Sequence, residues 1–390
     1  MLRDARRLTG LDDALSAETW ASDWLGRAWA SAALGEREAE HSLCAQVCSR
    51  ARATPSPHAL AAVAALARVA PATETALLEQ AVDTLTQTQP PPPWCASKHP
   101  PGWTATAAWR AVDVWDSQRV LFIDYDGPHP HTLMAHIHAV GGIEIAKLAI
   151  LQPGAAAGWE RLREESEVPM PLDAQPVTDV LAELADALRA TDMTWPRNDD
   201  DDFVDNRALA WSRSREHLPE WPEHLELSDA ERRGLLDRFT TSIGEVVGAE
   251  PDVVRSLAEL FLDYGEGYII SGPLSWSPDQ VMLFLSDWLP RKAILDADQR
   301  NALPRVLGQW ITFALTERGI DPPWINPVLD AVNIHLPEFQ AAFDDTTAWG
   351  PAKQIAAALT ERGIDLTNRQ AVDDAIRALN AERLAQRLIE

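Results

Sequence analysis

The sequence is poor in several features, and each shortage excludes a class of protein. Its three cysteines, Cys44, Cys48 and Cys95, are too few for the disulfide framework of a small secreted domain. No stretch approaches the roughly 18 apolar residues of a membrane-spanning helix. The N-terminus is positively charged but lacks the apolar segment of a secretory signal. We therefore expect a cytoplasmic protein without a membrane span.

Lysine is also scarce, and the formal net charge is −25. The arginines are scattered among acidic residues, as in ERLREESE, and form no basic stripe. Since so acidic a chain repels the phosphates of nucleic acids, we expect no nucleic-acid partner and no membrane partner. A protein partner or a homo-oligomer fits this composition better.

The chain contains mostly helical patterns, and sixteen tryptophans. Residues 1–89 have helical apolar spacing broken by short polar or proline-bearing segments, which indicates an array of helical hairpins. Residues 90–102 hold a run of prolines that cannot continue a helix, so we interpret them as a linker.

A short β region follows the proline run. Within residues 103–155, RVLFIDYD, HTLMAHIHAV and IEIAKLAIL are rich in strand-forming residues and are separated by turn residues. They predict a small central antiparallel sheet of about three strands. Residues 156–390 return to helical patterns. The predicted fold class is therefore mainly α.

An internal repeat marks the C-terminal part. ALTERGID occurs at 314–321 and again at 358–365, and each copy places a glycine just after the expected end of a helix. The two copies predict a pair of similar helix–turn–helix units. Their acidic turns argue against binding to DNA.

Four of the ten histidines lie within DYDGPHPHTLMAHIH, at positions 129, 131, 136 and 138. Because side chains alternate along a strand, His136 and His138 share one face and His131 lies on the other. Pairing Asp124 with Met134 puts Asp124 on the face of His136 and His138, whereas a slip of one residue separates them.

Two histidines and a carboxylate on one face can hold zinc or iron. The predicted ligands are His136, His138 and Asp124, with Glu144 as an alternative third ligand. The competing interpretation is structural: a polar turn followed by a half-exposed strand that happens to contain histidines.

A second candidate metal site is DDFVD, in which Asp201, Asp202 and Asp205 have a DDxxD spacing. On a helix these carboxylates can hold Mg²⁺ for a diphosphate substrate. The segment resembles the first motif of class I terpenoid synthases, but no second metal motif follows it. The competing interpretation is an acidic helix N-terminus that complements the helix dipole.

Cys44 and Cys48 stand one helical turn apart, with His41 just before them. This spacing suits zinc, although such cysteines are more often small core residues.

Four segments carry a resemblance to a family: VWDSQRVLFIDYDG, HAVGGIEIAKLAIL, LSWSPDQVMLFLSDWLPRK and TERGIDLTNRQAVDDAIRALNAERL. They resemble stretches of a group of uncharacterised actinobacterial proteins, in patches over residues 103–390. The resemblance implies a helical cytoplasmic protein with a short central sheet, and it transfers no functional residue.

Two functional hypotheses remain open. The first is an interaction or regulatory protein built on a helical scaffold. The second is a metal-dependent enzyme without a familiar motif, either a hydrolase or oxygenase using zinc or iron, or a terpenoid-synthase-like enzyme using Mg²⁺. The first is preferred because no motif in the chain outweighs its structural explanation.

Overall fold

The computed structural model describes residues 1–36, 38–95, 103–159, 161, 168–221, 226–243, 249–345, 349, 350, 353–355, 359 and 377. The chain forms two compact units, Met1–Leu225 and Glu226–Glu390. As the sequence predicts, it is mainly helical. None of the described helices is both long enough and apolar enough to cross a bilayer.

The first unit begins with four helices: α1 (Ala14–Ala30), α2 (Ala39–Ala53), α3 (Pro57–Val69) and α4 (Thr75–Thr86). Local chemistry explains two of the starts. The Asp13 carboxylate accepts hydrogen bonds from backbone N–H groups at the start of α1. Ser56 caps α3 in the same way, and Pro57 occupies its first turn, where no N–H is needed. Nine of the thirteen residues of α3 are apolar and buried, so this helix forms the centre of the bundle.

The described part of the proline run packs against this bundle. Residues Pro93–Cys95 form one 3₁₀ turn, and the buried Trp94 indole donates a hydrogen bond to the Leu8 carbonyl over 2.9 Å. The remainder of the predicted linker, 96–102, lies outside the described residues.

A single antiparallel sheet follows, with five strands where the sequence predicted about three. They are β1 (Thr104–Val112), β2 (Gln118–Asp126), β3 (His131–His138), β4 (Glu144–Leu151) and β5 (Leu172–Gln175), in the order β4-β3-β2-β1-β5. The three predicted strands are β2, β3 and β4. The strands β1 and β5 were not predicted. The β1 sequence TATAAWRAV is rich in alanine, which is not a strand-forming residue, and β5 has only four residues.

The two faces of the sheet are covered differently. One face, with Leu121, Leu133 and Ile137, is buried against α5 (Val177–Met193) and α6 (Asp201–Ser214). The other face carries Phe122, which contacts the Trp159 ring at 5.7 Å between centroids. This alternation makes one face of every central strand part of the main core.

Side chains of α5 and α6 form hydrogen bonds with backbone groups of the outer strand β4. The Ile145 N–H donates to the Thr191 hydroxyl over 2.8 Å, and the Asn206 amide donates to the Leu148 carbonyl over 3.2 Å. These bonds cover part of a sheet edge that would otherwise present unpaired backbone groups.

The described residues of the second unit form helices and the loops between them, and no strand. Its main helices are α7 (Asp229–Ile243), α8 (Pro251–Tyr268), α9 (Pro278–Leu283), α10 (Leu289–Lys292), α11 (Ala297–Glu317) and α12 (Pro322–Asp344). Phe284–Trp288 forms one π-helical turn between α9 and α10. Ser228 and Glu231 form a capping box at the start of α7, since each side chain bonds the backbone of the other.

The first copy of the repeat behaves as predicted. It ends α11, and Gly319 follows with a φ of 74°. The Ile320 N–H bonds the Leu315 carbonyl and the Gly319 N–H bonds the Thr316 carbonyl, which is a Schellman motif. The second copy, at 358–365, lies outside the described residues apart from Leu359, so the predicted pair of helix–turn–helix units stays a prediction.

Candidate functional site

The register of the sheet decides how the histidine stretch is arranged. Asp124 pairs with Thr132, and His136 pairs with Val120. Asp124 therefore shares a face with His136 and His138, but it pairs two residues away from the Met134 partner considered above. Because Thr132 and His136 are four residues apart, Asp124 lies about 13 Å along the strand from His136. The Asp124 carboxylate instead accepts a short hydrogen bond from the Thr132 hydroxyl.

His136 and His138 contact each other edge to face, with ring centroids 4.7 Å apart. Gln118 also contacts His136: its side-chain oxygen lies 3.3 Å from Nε2 of the His136 ring. On the outer strand β4, Glu144 pairs with His138 and Lys147 pairs with His136. Burial, and then the charge of His138, lowers the pKa of His136 to about 4.

The DDFVD segment sits at the start of α6, as its structural interpretation predicts. Asp200 caps the helix by accepting from the Phe203 N–H, and Asp201 and Asp202 lie in the first turn. Asp202 forms an ion pair with Lys147 at 2.8 Å. Burial, and then the neighbouring Asp23 of α1, raises the pKa of Asp205.

The carboxylates of DDFVD therefore have separate partners. Within the described ranges, no three His, Cys, Asp or Glu side chains are placed to hold a metal ion together. Metal binding by His136, His138 and Asp124, or by Asp201, Asp202 and Asp205, stays a prediction.

The cysteine pair belongs to the core. Cys44 and Cys48 are buried in the helical bundle, and burial raises the pKa of the Cys44 thiol to about 12. His41 contacts Glu74 instead, with 2.9 Å between Nδ1 and the carboxylate. The two thiols pack as small apolar side chains of the core.

Among the described histidines, His131 is the one that is buried. As predicted, it lies on the face opposite His136, directly across from Tyr125. Its ring stacks on Tyr125 at 5.1 Å and meets the edge of Trp103 at 4.9 Å. Burial lowers the pKa of His131, so its ring is neutral at pH 7. Nδ1 lies 3.1 Å from the His129 carbonyl, to which its N–H donates.

Next to these rings lies a buried ionic cluster centred on Glu18, which is only 1% exposed. Its carboxylate accepts from Arg68 Nε over 2.6 Å and from the Trp103 indole over 2.9 Å. Arg213 donates a short hydrogen bond to the second carboxylate oxygen. One buried negative charge thus faces two guanidinium groups, whose side chains are 12% and 7% exposed.

The excess positive charge of the cluster lies against aromatic rings. The Arg213 guanidinium lies 5.2 Å from the centre of the Trp103 ring and 5.7 Å from that of Tyr125. Such cation–π contacts stabilise a buried guanidinium without neutralising it. The cluster retains a net positive charge.

Two buried donors of this cluster lack a partner among the described residues. They are the hydroxyl of Tyr125 and the Nε–H of Arg213. A buried donor without an acceptor costs about 1–3 kcal/mol, so such groups need an explanation.

Both residues line a cleft of about 790 Å³ in the first unit. Glu18, Arg68, Arg213, Trp103 and Tyr125 form its inner part, and Glu79, Glu216 and His217 are among the residues of its outer part. The volume is in the range of pockets that bind small organic molecules. This cleft is the candidate functional site.

The sequence did not predict this site, because the residues that form it are far apart in the chain. Glu18 meets Arg68, Trp103 and Arg213 across separations of 50, 85 and 195 residues. The only available signals were a glutamate within the apolar face of α1 and an arginine in the last turn of α6. Neither forms a motif by itself.

No protein-family model, no curated protein and no solved structure matches this chain.

Proposed function

We propose that the first unit binds a small organic monoanion, such as a carboxylate, in the cleft above Glu18. One observation carries the proposal: two guanidinium groups and one carboxylate are buried together, with unpaired donors on Arg213 and Tyr125 beside a cleft. An incoming carboxylate would balance the remaining positive charge and, after a small movement of the surrounding side chains, would accept from both donors, which have almost no exposed surface in the free protein.

The aromatic rings favour an organic anion over an inorganic one. Trp103 and Tyr125 give the cleft apolar surface next to the charged groups, as in pockets where apolar contact supplies affinity and a few polar groups supply orientation. A single net positive charge also suits a monoanion better than a dianion.

This proposal extends the interpretation of the chain as a regulatory or interaction protein in the cytoplasm, because ligand binding needs no catalytic group. The net charge of −25 supports a partner other than nucleic acid. The resemblance to actinobacterial proteins stays a prediction and assigns no ligand.

The test is titration of the full chain with acetate and with 3-phenylpropanoate by calorimetry. We expect saturable binding of 3-phenylpropanoate with a dissociation constant on the order of 1 mM, as befits a ligand of this size, and weaker binding of acetate. Absence of saturable binding for both would show that the cluster is structural.

Tyr125→Phe is the informative variant, because it removes one unpartnered hydroxyl and keeps the ring. We expect about 3–10-fold weaker binding of 3-phenylpropanoate, with unchanged or slightly higher stability of the free protein. Tyr264→Phe is the matched control. The Tyr264 hydroxyl accepts from Gln280 over 2.7 Å in the second unit, so its loss should lower stability and leave binding unchanged. Unaltered binding in Tyr125→Phe would contradict this site.

A further inference from the structure

The charges that line the cleft are sorted by depth. Arg68 and Arg213 are buried at the inner end, where they exceed the single Glu18. Glu79 and Glu216, which also line the cleft, are exposed. The inner part is therefore positive and the outer part is negative.

This order of charges matches a ligand that has a negative group at one end and a positive group at the other. Complementary potentials select partners and orient them as they enter. A simple anion would be attracted by the inner end but repelled by the two outer carboxylates. A ligand that carries an ammonium group at its other end would satisfy both.

We infer that the natural ligand is an organic zwitterion, whose carboxylate lies against Arg213 and Tyr125 and whose cationic end lies between Glu79 and Glu216. The inference rests on the proposed function, since it requires that the cleft takes a carboxylate. It adds the second recognition element and the direction in which the ligand enters.

The buried donors distinguish this cleft from an ordinary acidic surface. Exposed glutamates are common on a chain with a net charge of −25 and would not indicate a ligand by themselves. Here they border a cleft lined by Tyr125, a residue only 3% exposed, whose buried hydroxyl has no partner among the described residues. An aromatic spacer between the two charges would lie along Trp103.

Three matched probes test the inference: 3-phenylpropanoate, its 4-aminomethyl derivative and its 4-acetamidomethyl derivative. The last two share the carboxylate and the aromatic spacer, but only the aminomethyl compound is cationic at its outer end. We expect the aminomethyl compound to bind about 2–5-fold more tightly than the acetamidomethyl compound, as suits solvent-exposed ion pairs. Raising the salt concentration to about 0.5 M should remove most of this preference.

The variant Glu79→Gln/Glu216→Gln locates the effect. It should abolish the preference for the aminomethyl compound and leave the affinity for 3-phenylpropanoate equal or slightly higher. Glu250→Gln, at an exposed residue that begins a helix of the second unit, is the control and should change neither affinity.

The possible failures are distinguishable. If none of the three probes binds, both the anion site and the zwitterion inference are wrong. If 3-phenylpropanoate binds and the aminomethyl and acetamidomethyl compounds bind equally, the cleft takes an anion but does not recognise a cationic end. A preference that persists in Glu79→Gln/Glu216→Gln would also overturn the inference.

Discussion

Gly26 on α1 lies directly against the backbone of Val204 on α6. A Cβ atom at residue 26 would be 1.8 Å from the Val204 carbonyl oxygen, which is far inside van der Waals contact. The Ser22 hydroxyl, one turn earlier on α1, accepts a hydrogen bond from the Leu209 N–H over 3.0 Å. These contacts set the spacing between the helices that carry Glu18 and Arg213, so the candidate site depends on a glycine outside it.

The first prediction concerns this close approach. Gly26→Ala should lower the free energy of unfolding by about 1–3 kcal/mol or more, since the backbone of α6 must move to admit the methyl group. Thermal unfolding of the variant would measure this loss. Gly10→Ala is the control, because a Cβ there would meet nothing within 4 Å, and its unfolding midpoint should barely change. An unchanged midpoint for Gly26→Ala would mean that α1 and α6 lie further apart.

The second prediction concerns the buried ionic cluster. Glu18→Gln leaves the positive charges of Arg68 and Arg213 without their carboxylate, and removing one member of a buried ionic group costs about 3–5 kcal/mol. Denaturant unfolding would measure the loss. Glu79→Gln, at an exposed position on the same cleft, should change stability by less than about 0.5 kcal/mol. Equal effects of the two substitutions would argue against a buried cluster.

The third prediction concerns Asp205 and its contact with Asp23. Burial, and then the hydrogen bond to Asp23 and its charge, raises the pKa of Asp205 in the folded protein. A raised pKa means that the folded state holds the proton more tightly than the unfolded state. The stabilising effect is therefore complete below the unfolded pKa and is lost as the pH rises through the folded pKa.

Asp205→Asn should remove this pH dependence and stabilise the first unit at pH 7. Because solvent screens this partly exposed pair, we expect a midpoint increase of no more than about 2–4 °C. Asp201→Asn, at an exposed residue in the first turn of the same helix, should give no such increase. A lower midpoint for Asp205→Asn at pH 7 would contradict the unfavourable burial of Asp205 beside Asp23.

The fourth prediction concerns His136. Its pKa of about 4 lies below that of an ordinary histidine, so the unfolded chain binds a proton that the folded protein does not. The contribution of this residue to stability should fall as the pH decreases from about 6.5 towards its folded pKa. Titration of the imidazole resonances by NMR would show His136 neutral at pH 5.5.

His138→Asn is the matched test of the cause. It removes the neighbouring charge but leaves the burial of His136, so the pKa of His136 should rise towards the ordinary value without reaching it. No change in this variant would show that burial alone sets the pKa. Loss of the His136 resonance on adding zinc would instead support the predicted metal site.

The sequence by itself determined the helical character, three of the five strands (β2, β3 and β4) and the position of DDFVD at a helix start. These features follow from local chemistry, in which the spacing of apolar residues and the capping residue are neighbours in the chain. The separation of His131 from His136 also followed directly, because side chains of a strand alternate between its faces.

Only the tertiary structure decided the register that keeps Asp124 away from His136, and only it brought Glu18 to Arg68, Trp103 and Arg213. A shift of two residues in strand pairing preserves every face assignment, so no pattern of polar and apolar residues can reveal it. The buried ionic cluster is set by the packing of helices and strands at long sequence separation, and a single charged residue in each of them carries no signal of its partner.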